Sequence, residues 1–72
     1  MTPEEMAAFL SKEEWRDTVE IARAVHRAEG GRGSLLAVKR RVSHRLRLME
    51  RDGLVEVDRT EGARPFLWRL VR

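Results

Sequence analysis

The chain has 72 residues, a formal net charge of +3 and no cysteine. This length predicts one small domain, which buries only about 60% of the surface that its unfolded form exposes, and the composition excludes disulfide bonds and thiolate zinc sites. Because no apolar run approaches the roughly 20 residues of a membrane span and no secretion signal begins the chain, we expect a globular cytoplasmic protein.

Two capping signals in the first half of the chain predict two helices. The sequence Thr-Pro-Glu-Glu at residues 2–5 combines an N-cap, a helix-start proline and a capping glutamate, and it predicts a short helix over residues 3–10. The sequence Ser-Lys-Glu-Glu at residues 11–14 repeats the capping pattern, and apolar residues then recur at helical spacing, so we predict a long helix over residues 12–29. The glycine-rich segment 30–33 is interpreted as the turn that ends this helix, in preference to a phosphate-binding loop.

Residues 34–52 are predicted to be helical and strongly basic. The apolar residues recur every three or four positions, and they are Leu35, Val38, Val42, Leu46 and Met49. The opposite side carries a cationic row, which consists of Arg40, His44, Arg47 and Arg51. The pattern fits either one helix or two helices, of which the second would begin with Ser43 as its N-cap.

The charges of the chain are segregated. Residues 1–20 contain six acidic and two basic residues, whereas residues 32–51 contain seven basic residues and one acidic residue. Such one-sided positive charge is typical of a nucleic-acid-binding protein. A general bias toward arginine, from base composition or heat adaptation, is the alternative. Because that bias would not segregate the acidic residues, we favour nucleic-acid binding.

A β-hairpin is predicted after the basic helix. Gly53 is interpreted as the residue that follows the helix end, and the alternation of apolar and polar residues then predicts two strands over residues 54–71. Because a hairpin of two strands is marginally stable alone, we expect Phe66 and Trp68 to pack on the helices rather than to stack on single-stranded bases. The predicted fold class is α+β, with two to four helices on a two-stranded hairpin and residues 1–72 in a single domain.

Three short segments in the second half form a recognisable pattern. They are Leu46 with Met49, the run Glu50-Arg51-Asp52-Gly53-Leu54-Val55, and Gly62-Ala63-Arg64-Pro65 followed by Trp68-Arg69-Leu70. The pattern resembles that of winged-helix transcription regulators of the multiple-antibiotic-resistance-repressor and phenolic-acid-repressor kinds, over residues 12–71. The resemblance implies a winged helix-turn-helix fold, with a recognition helix in the DNA major groove and a wing at the backbone or minor groove, often in a symmetric dimer. The region between Gly33 and Val42 departs from it by being short.

The predicted partner is double-stranded DNA. The cationic row is predicted to face the major groove, because a guanidinium group can donate two parallel hydrogen bonds to O6 and N7 of guanine; a solvated helix face is the alternative. The flanking residues are predicted to contact phosphates, and they are Lys39, Arg41, Ser43 and Arg45. The wing residues Arg59 and Arg64 are predicted to reach the backbone or the minor groove.

Two other hypotheses compete with DNA binding. A winged helix can also dock to proteins, and the candidate dimer or partner surface consists of Met6, Phe9, Leu10 and Trp15. RNA binding is a third hypothesis, since a basic surface also suits an A-form backbone. We expect no enzymatic activity, no cofactor, no metal and no small-molecule ligand, because no catalytic combination of residues is visible in so small a domain. The expected location is the cytoplasm, in association with the nucleoid, with no membrane partner.

Overall fold

Three helices and three antiparallel strands follow one another in the described part of the chain. The structure is a computed structural model, and it describes residues 1–59 and 66–71. The elements are α1 (Pro3–Ala7), β1 (Arg16–Asp17), α2 (Thr18–Ala28), α3 (Leu35–Arg51), β2 (Val55–Asp58) and β3 (Leu67–Leu70). The predicted α+β class is confirmed. Across the same residues, none of the helices has the length and apolar character that a membrane crossing needs.

Helix α1 begins at the predicted capping box but is shorter than expected. The Thr2 hydroxyl accepts a hydrogen bond from the Glu5 amide at 3.2 Å, and the Glu5 carboxylate accepts one from the Thr2 amide at 3.0 Å. The helix ends at Ala7 rather than at residue 10. The chain continues in a tighter turn, in which the amides of Phe9 and Leu10 bond to carbonyls three residues earlier. Such tightening is a common way for the last turn of a helix to satisfy its carbonyl groups.

The long helix predicted over residues 12–29 is wrong in its first third. The Ser11 hydroxyl accepts hydrogen bonds from two following backbone amides and closes a local turn, so it does not begin a helix. Helix α2 begins at Thr18, and its N-cap is Asp17, whose carboxylate accepts a hydrogen bond from the Glu20 amide at 2.7 Å. The sequence thus contains two capping boxes six residues apart, and tertiary pairing of the segment between them decides which one starts the helix.

The predicted antiparallel pair of C-terminal strands forms from β2 and β3, and that segment adds a third strand that was not predicted. The strand order is β1-β3-β2 and both pairs are antiparallel. Strand β3 lies in the middle, where Trp68 pairs with Arg16 on one side and with Val57 on the other. Strand β1 has only two residues, which is too short for an alternating pattern to be visible in the sequence.

The core lies between the helices and one face of the sheet. Helix α3 contributes Val38, Val42, Leu46 and Met49, all of them buried. The remaining buried apolar residues are Met6, Leu10, Ile21, Ala22, Val25, Val55 and Trp68. The aliphatic stripe predicted for the basic helix therefore faces inward as expected, and Trp68 packs in the core as predicted.

Glycine ends both long helices in the same way. At the end of α3, Gly53 has φ of +76°, and the Leu54 amide donates to the Met49 carbonyl at 2.9 Å. At the end of α2, Gly30 has φ of +87°, and the Gly31 amide donates to the His26 carbonyl at 2.8 Å. Both ends are Schellman motifs, which need a left-handed residue that glycine adopts without steric cost.

Candidate nucleic-acid interface

The basic segment is one uninterrupted helix. Helix α3 contains 17 residues, and its N-cap is Ser34. The Ser34 hydroxyl accepts hydrogen bonds from the amides of Leu36 and Ala37, at 3.1 and 3.3 Å. No second N-cap forms at Ser43, which lies half-buried inside the helix. Of the two arrangements that the sequence allowed, the single helix is the one that forms.

The cationic row occupies the side of α3 that faces away from the core. All four of its residues are exposed, and they are Arg40, His44, Arg47 and Arg51. At 100° per residue they fall within about 60° of one another around the helix axis, opposite the buried stripe. Because α3 is continuous, these four side chains form one straight row along about three turns of helix.

The row carries uncompensated positive charge. Within residues 1–59 and 66–71, no salt bridge involves Arg40, His44 or Arg47. Arg51 lies 3.9 Å from the carboxylate of Asp52, and its side chain is 75% exposed. The exposed guanidinium groups of Arg40 and Arg47 are therefore able to bind an external anion without first breaking an internal ion pair.

Arg41 differs from the row because it is already paired. Its guanidinium group donates two hydrogen bonds to the carboxylate of Glu29, at 2.6 and 2.8 Å. These hydrogen bonds lower the pKa of the Glu29 carboxyl below its ordinary value and raise the pKa of Arg41. The pair joins α3 to the C-terminal end of α2, so a phosphate contact by Arg41 has to compete with Glu29.

Arg59 is paired in the same manner on the other side of the helix. It donates two hydrogen bonds to the Glu50 carboxylate, at 2.7 and 2.9 Å, and its guanidinium carbon lies 5.2 Å from the centre of the Phe66 ring. The hydrogen bonds from Arg59 lower the pKa of the Glu50 carboxyl. This pair connects α3 with the residue that follows β2. The second predicted wing residue, Arg64, lies outside the described residues.

The predicted phosphate contacts lie on the two flanks of α3. Lys39 and Ser43 are half-buried on the flank that also carries Glu50, and Arg45 is half-buried on the flank that carries Arg41. Half-buried residues of this kind extend sideways from the helix rather than straight outward. They border the cationic row on both sides, as the sequence pattern predicted.

Two of the four residues of the candidate partner surface at the N-terminus are buried in the core. Met6 is fully buried and Leu10 is 8% exposed, so the prediction that they present a surface to a partner is wrong. The physical reason is that Met6 lies on the side of α1 that packs against the core, while the turn after α1 brings Leu10 into the same core. Phe9 packs partly against that core, and Trp15 is 37% exposed with the Arg69 guanidinium 4.4 Å above its ring centre.

Two features of this region were not predicted from the sequence. The ion pairs of Arg41 and Arg59 join residues 12 and 9 positions apart across turns, and no local spacing rule indicates such pairs. The second feature is Leu36, which is 57% exposed on α3. Leu36 lies four positions before Arg40, and residues at this spacing lie on the same side of a helix, so the sequence does indicate that Leu36 is near the cationic row.

An open groove lies elsewhere, between α2 and the turn that follows α1. Its volume is about 580 Å³, and its lining includes Phe9, Val19, Arg23 and Arg27. None of the residues that line it belongs to α3. The groove and the cationic row are therefore separate surfaces.

Comparison of the chain with protein-family models, with curated proteins and with solved structures found no match. The function is therefore inferred from the geometry and chemistry of the chain itself.

Proposed function

We propose that the chain is a non-enzymatic double-stranded DNA-binding protein of the winged-helix class, acting as a small transcriptional regulator. The observation that carries the proposal is the exposed cationic row on one side of α3, in which Arg40 and Arg47 have no carboxylate partner among residues 1–59 and 66–71. An α-helix fits the major groove, which is about 12 Å wide. Helix α3 is about 25 Å long at 1.5 Å per residue, so it spans the groove with its aliphatic side still buried in the domain.

The order of elements supports the proposal. We assign α2 and α3 to the helix-turn-helix pair of a winged helix and residues 29–34 to the turn between them. The hairpin of β2 and β3 is assigned to the wing. Strand β1 adds to the free side of β3, in the order β1-β3-β2. Helix α2 is then the helix that precedes the recognition helix, so the short region between Gly33 and Val42 does not have to contain it.

Each group of basic residues has a distinct role in this proposal. Arg40 and Arg47 donate paired hydrogen bonds to guanine edges, with His44 between them on the groove floor. The flanking residues Lys39 and Arg45 contact phosphates, which fixes the orientation of the helix but reads no sequence. Arg59 is held beside α3 by Glu50, so its contact with the DNA backbone or the minor groove has to compete with that carboxylate.

Fluorescence anisotropy with a labelled DNA duplex tests the proposal. We expect affinity to fall steeply as salt rises, with a log-log slope of roughly −0.9 for each phosphate that is neutralised. The double variant Arg40→Ala/Arg47→Ala should lose most of the binding. The matched control is Arg23→Ala/Arg27→Ala, which removes the same charge from exposed positions on α2 and should retain most of it.

Three results would contradict the proposal. Absent or salt-insensitive binding would favour the protein-docking hypothesis. An equal loss of DNA affinity in both double variants would mean that the net charge of the domain, and not the cationic row, governs binding. Tighter binding to an A-form RNA duplex than to DNA of the same sequence would favour the RNA hypothesis.

A further inference from the structure

The first turn of α3 presents apolar side chains on its outward side. Leu36 is 57% exposed and its neighbour Ala37 is also exposed. The adjacent Leu35 packs partly against the core, so the helix already has its inward leucine at this turn. Single exposed leucines are common on protein surfaces. What distinguishes Leu36 is that it begins the exposed side of the helix that carries the cationic row.

The position of these residues is fixed before any ligand arrives. The amides of Leu36 and Ala37 both donate to the Ser34 hydroxyl, which holds the first turn in helical geometry. Arg40 follows one turn later on the same side. Over the four residues from Leu36 to Arg40 the helix rises about 6 Å.

The chemistry of the major groove offers one apolar group to such a side chain. Thymine presents its C5-methyl group there, and no other base of unmodified DNA carries a methyl. In helix-turn-helix proteins the N-terminal residues of the recognition helix contact the base edges. The rise of about 6 Å between Leu36 and Arg40 corresponds to about two base-pair steps of 3.4 Å.

We propose that Leu36, together with Ala37, contacts the C5-methyl group of a thymine that lies about two base pairs from a guanine bound by Arg40. This inference rests on the proposed function and adds to it a specificity-determining residue outside the cationic row. In this arrangement the first turn of α3 recognises thymine and the second turn recognises guanine.

The test begins with duplexes that the full chain selects from a random pool. Each thymine of a selected duplex is then replaced in turn by uracil, which removes only the methyl group. We expect the uracil duplex to bind about fourfold more weakly at the contacted position, the amount that one buried methyl contributes. Leu36→Ala should lose most of the preference for the thymine duplex. Val71→Ala, a matched change at another exposed apolar residue, should keep the preference for thymine.

The outcomes separate this inference from the proposed function. Salt-dependent binding with no effect of uracil at any position overturns the thymine contact and leaves DNA binding intact. A Leu36→Ala variant that weakens both duplexes equally, and still discriminates between them, also overturns it, because the leucine then acts in packing or self-association. Failure of the pool to yield any bound duplex overturns both.

Discussion

At the scale of single residues, the Thr18 hydroxyl connects the first turn of α2 with the central strand. The buried Trp68 indole donates to the Thr18 hydroxyl at 2.9 Å, and that hydroxyl donates to the Phe66 carbonyl at 3.2 Å. Thr18 is 6% exposed and Trp68 is 2% exposed. The hydroxyl therefore gives the buried indole N–H of Trp68 its hydrogen-bond acceptor.

We expect Thr18→Val to destabilise the fold by about 1–3 kcal/mol, because it leaves the indole N–H buried without an acceptor. Urea denaturation measures this loss, and in a domain of this size each kcal/mol lowers the Tm by roughly 4–8 °C. Thr18→Ser keeps the hydroxyl and should lower the free energy of unfolding much less. A loss as large in Thr18→Ser as in Thr18→Val would show that the methyl group, and not the hydrogen bond, provides the stability.

At the scale of elements, the sequence predicted α3 and β2 well because both have clear periodicity and a glycine boundary. The prediction failed between residues 11 and 17, where two capping boxes compete to begin the helix. The choice depends on pairing of Arg16 and Asp17 with β3, about 50 positions later in the chain. A strand of two residues has no pattern of its own, so long-range pairing is not visible in local sequence.

The cationic row and its flanks could be predicted because they follow from helical spacing alone. The pairing of Arg41 and Arg59 could not, because it depends on how α3 lies against α2 and β2. The burial of Met6 and Leu10 depends in the same way on how α1 and the turn after it pack on the core. Local spacing therefore identified which basic residues face outward. Tertiary packing decided which of them form an ion pair with a glutamate.

The ion pair between α2 and α3 predicts a pH dependence. Arg41 lowers the pKa of the Glu29 carboxyl, so the pair stabilises the fold above the ordinary glutamate pKa, near 4.3. This contribution is lost as the pH falls through the lowered pKa of the folded state. The stability difference between the wild-type chain and Glu29→Gln should therefore be present at pH 7 and shrink below about pH 4.

Chemical denaturation at a series of pH values measures that difference. Arg41→Gln removes the other partner and should show the same pH dependence relative to wild type. In the double variant Glu29→Gln/Arg41→Gln, the two changes should be less than additive at pH 7. A difference between wild type and Glu29→Gln that stays constant from pH 7 to pH 3 would contradict the pair's role.

At the scale of the whole molecule, the small core leaves little reserve of stability. A 72-residue domain is expected to have a free energy of unfolding of only about 4–10 kcal/mol. Leu46 is fully buried in α3, and Leu46→Ala should cost about 2–5 kcal/mol from lost burial and the cavity that remains. Thermal unfolding followed by circular dichroism should detect a variant that is partly unfolded at 37 °C.

Leu36→Ala is the matched control, since it makes the same chemical change on the exposed side of the same helix. It should change stability by less than about 0.5 kcal/mol. If the domain binds DNA, saturating duplex should raise the Tm of Leu46→Ala by stabilising only the folded form. Equal destabilisation by the two leucine variants would contradict the assignment of inward and outward sides.

The central position of β3 has a consequence for how the chain folds. Strands β1 and β2 do not touch each other and become neighbours only through β3, and the Thr18 to Trp68 contact closes a loop of 50 residues. Contacts between such distant parts of the chain slow folding. Closing the long loop costs conformational entropy before the contacts contribute any stabilising free energy. The helix that carries the cationic row therefore acquires its full packing only when the two ends of the domain meet, and we expect the chain to fold in a single cooperative transition without a stable half.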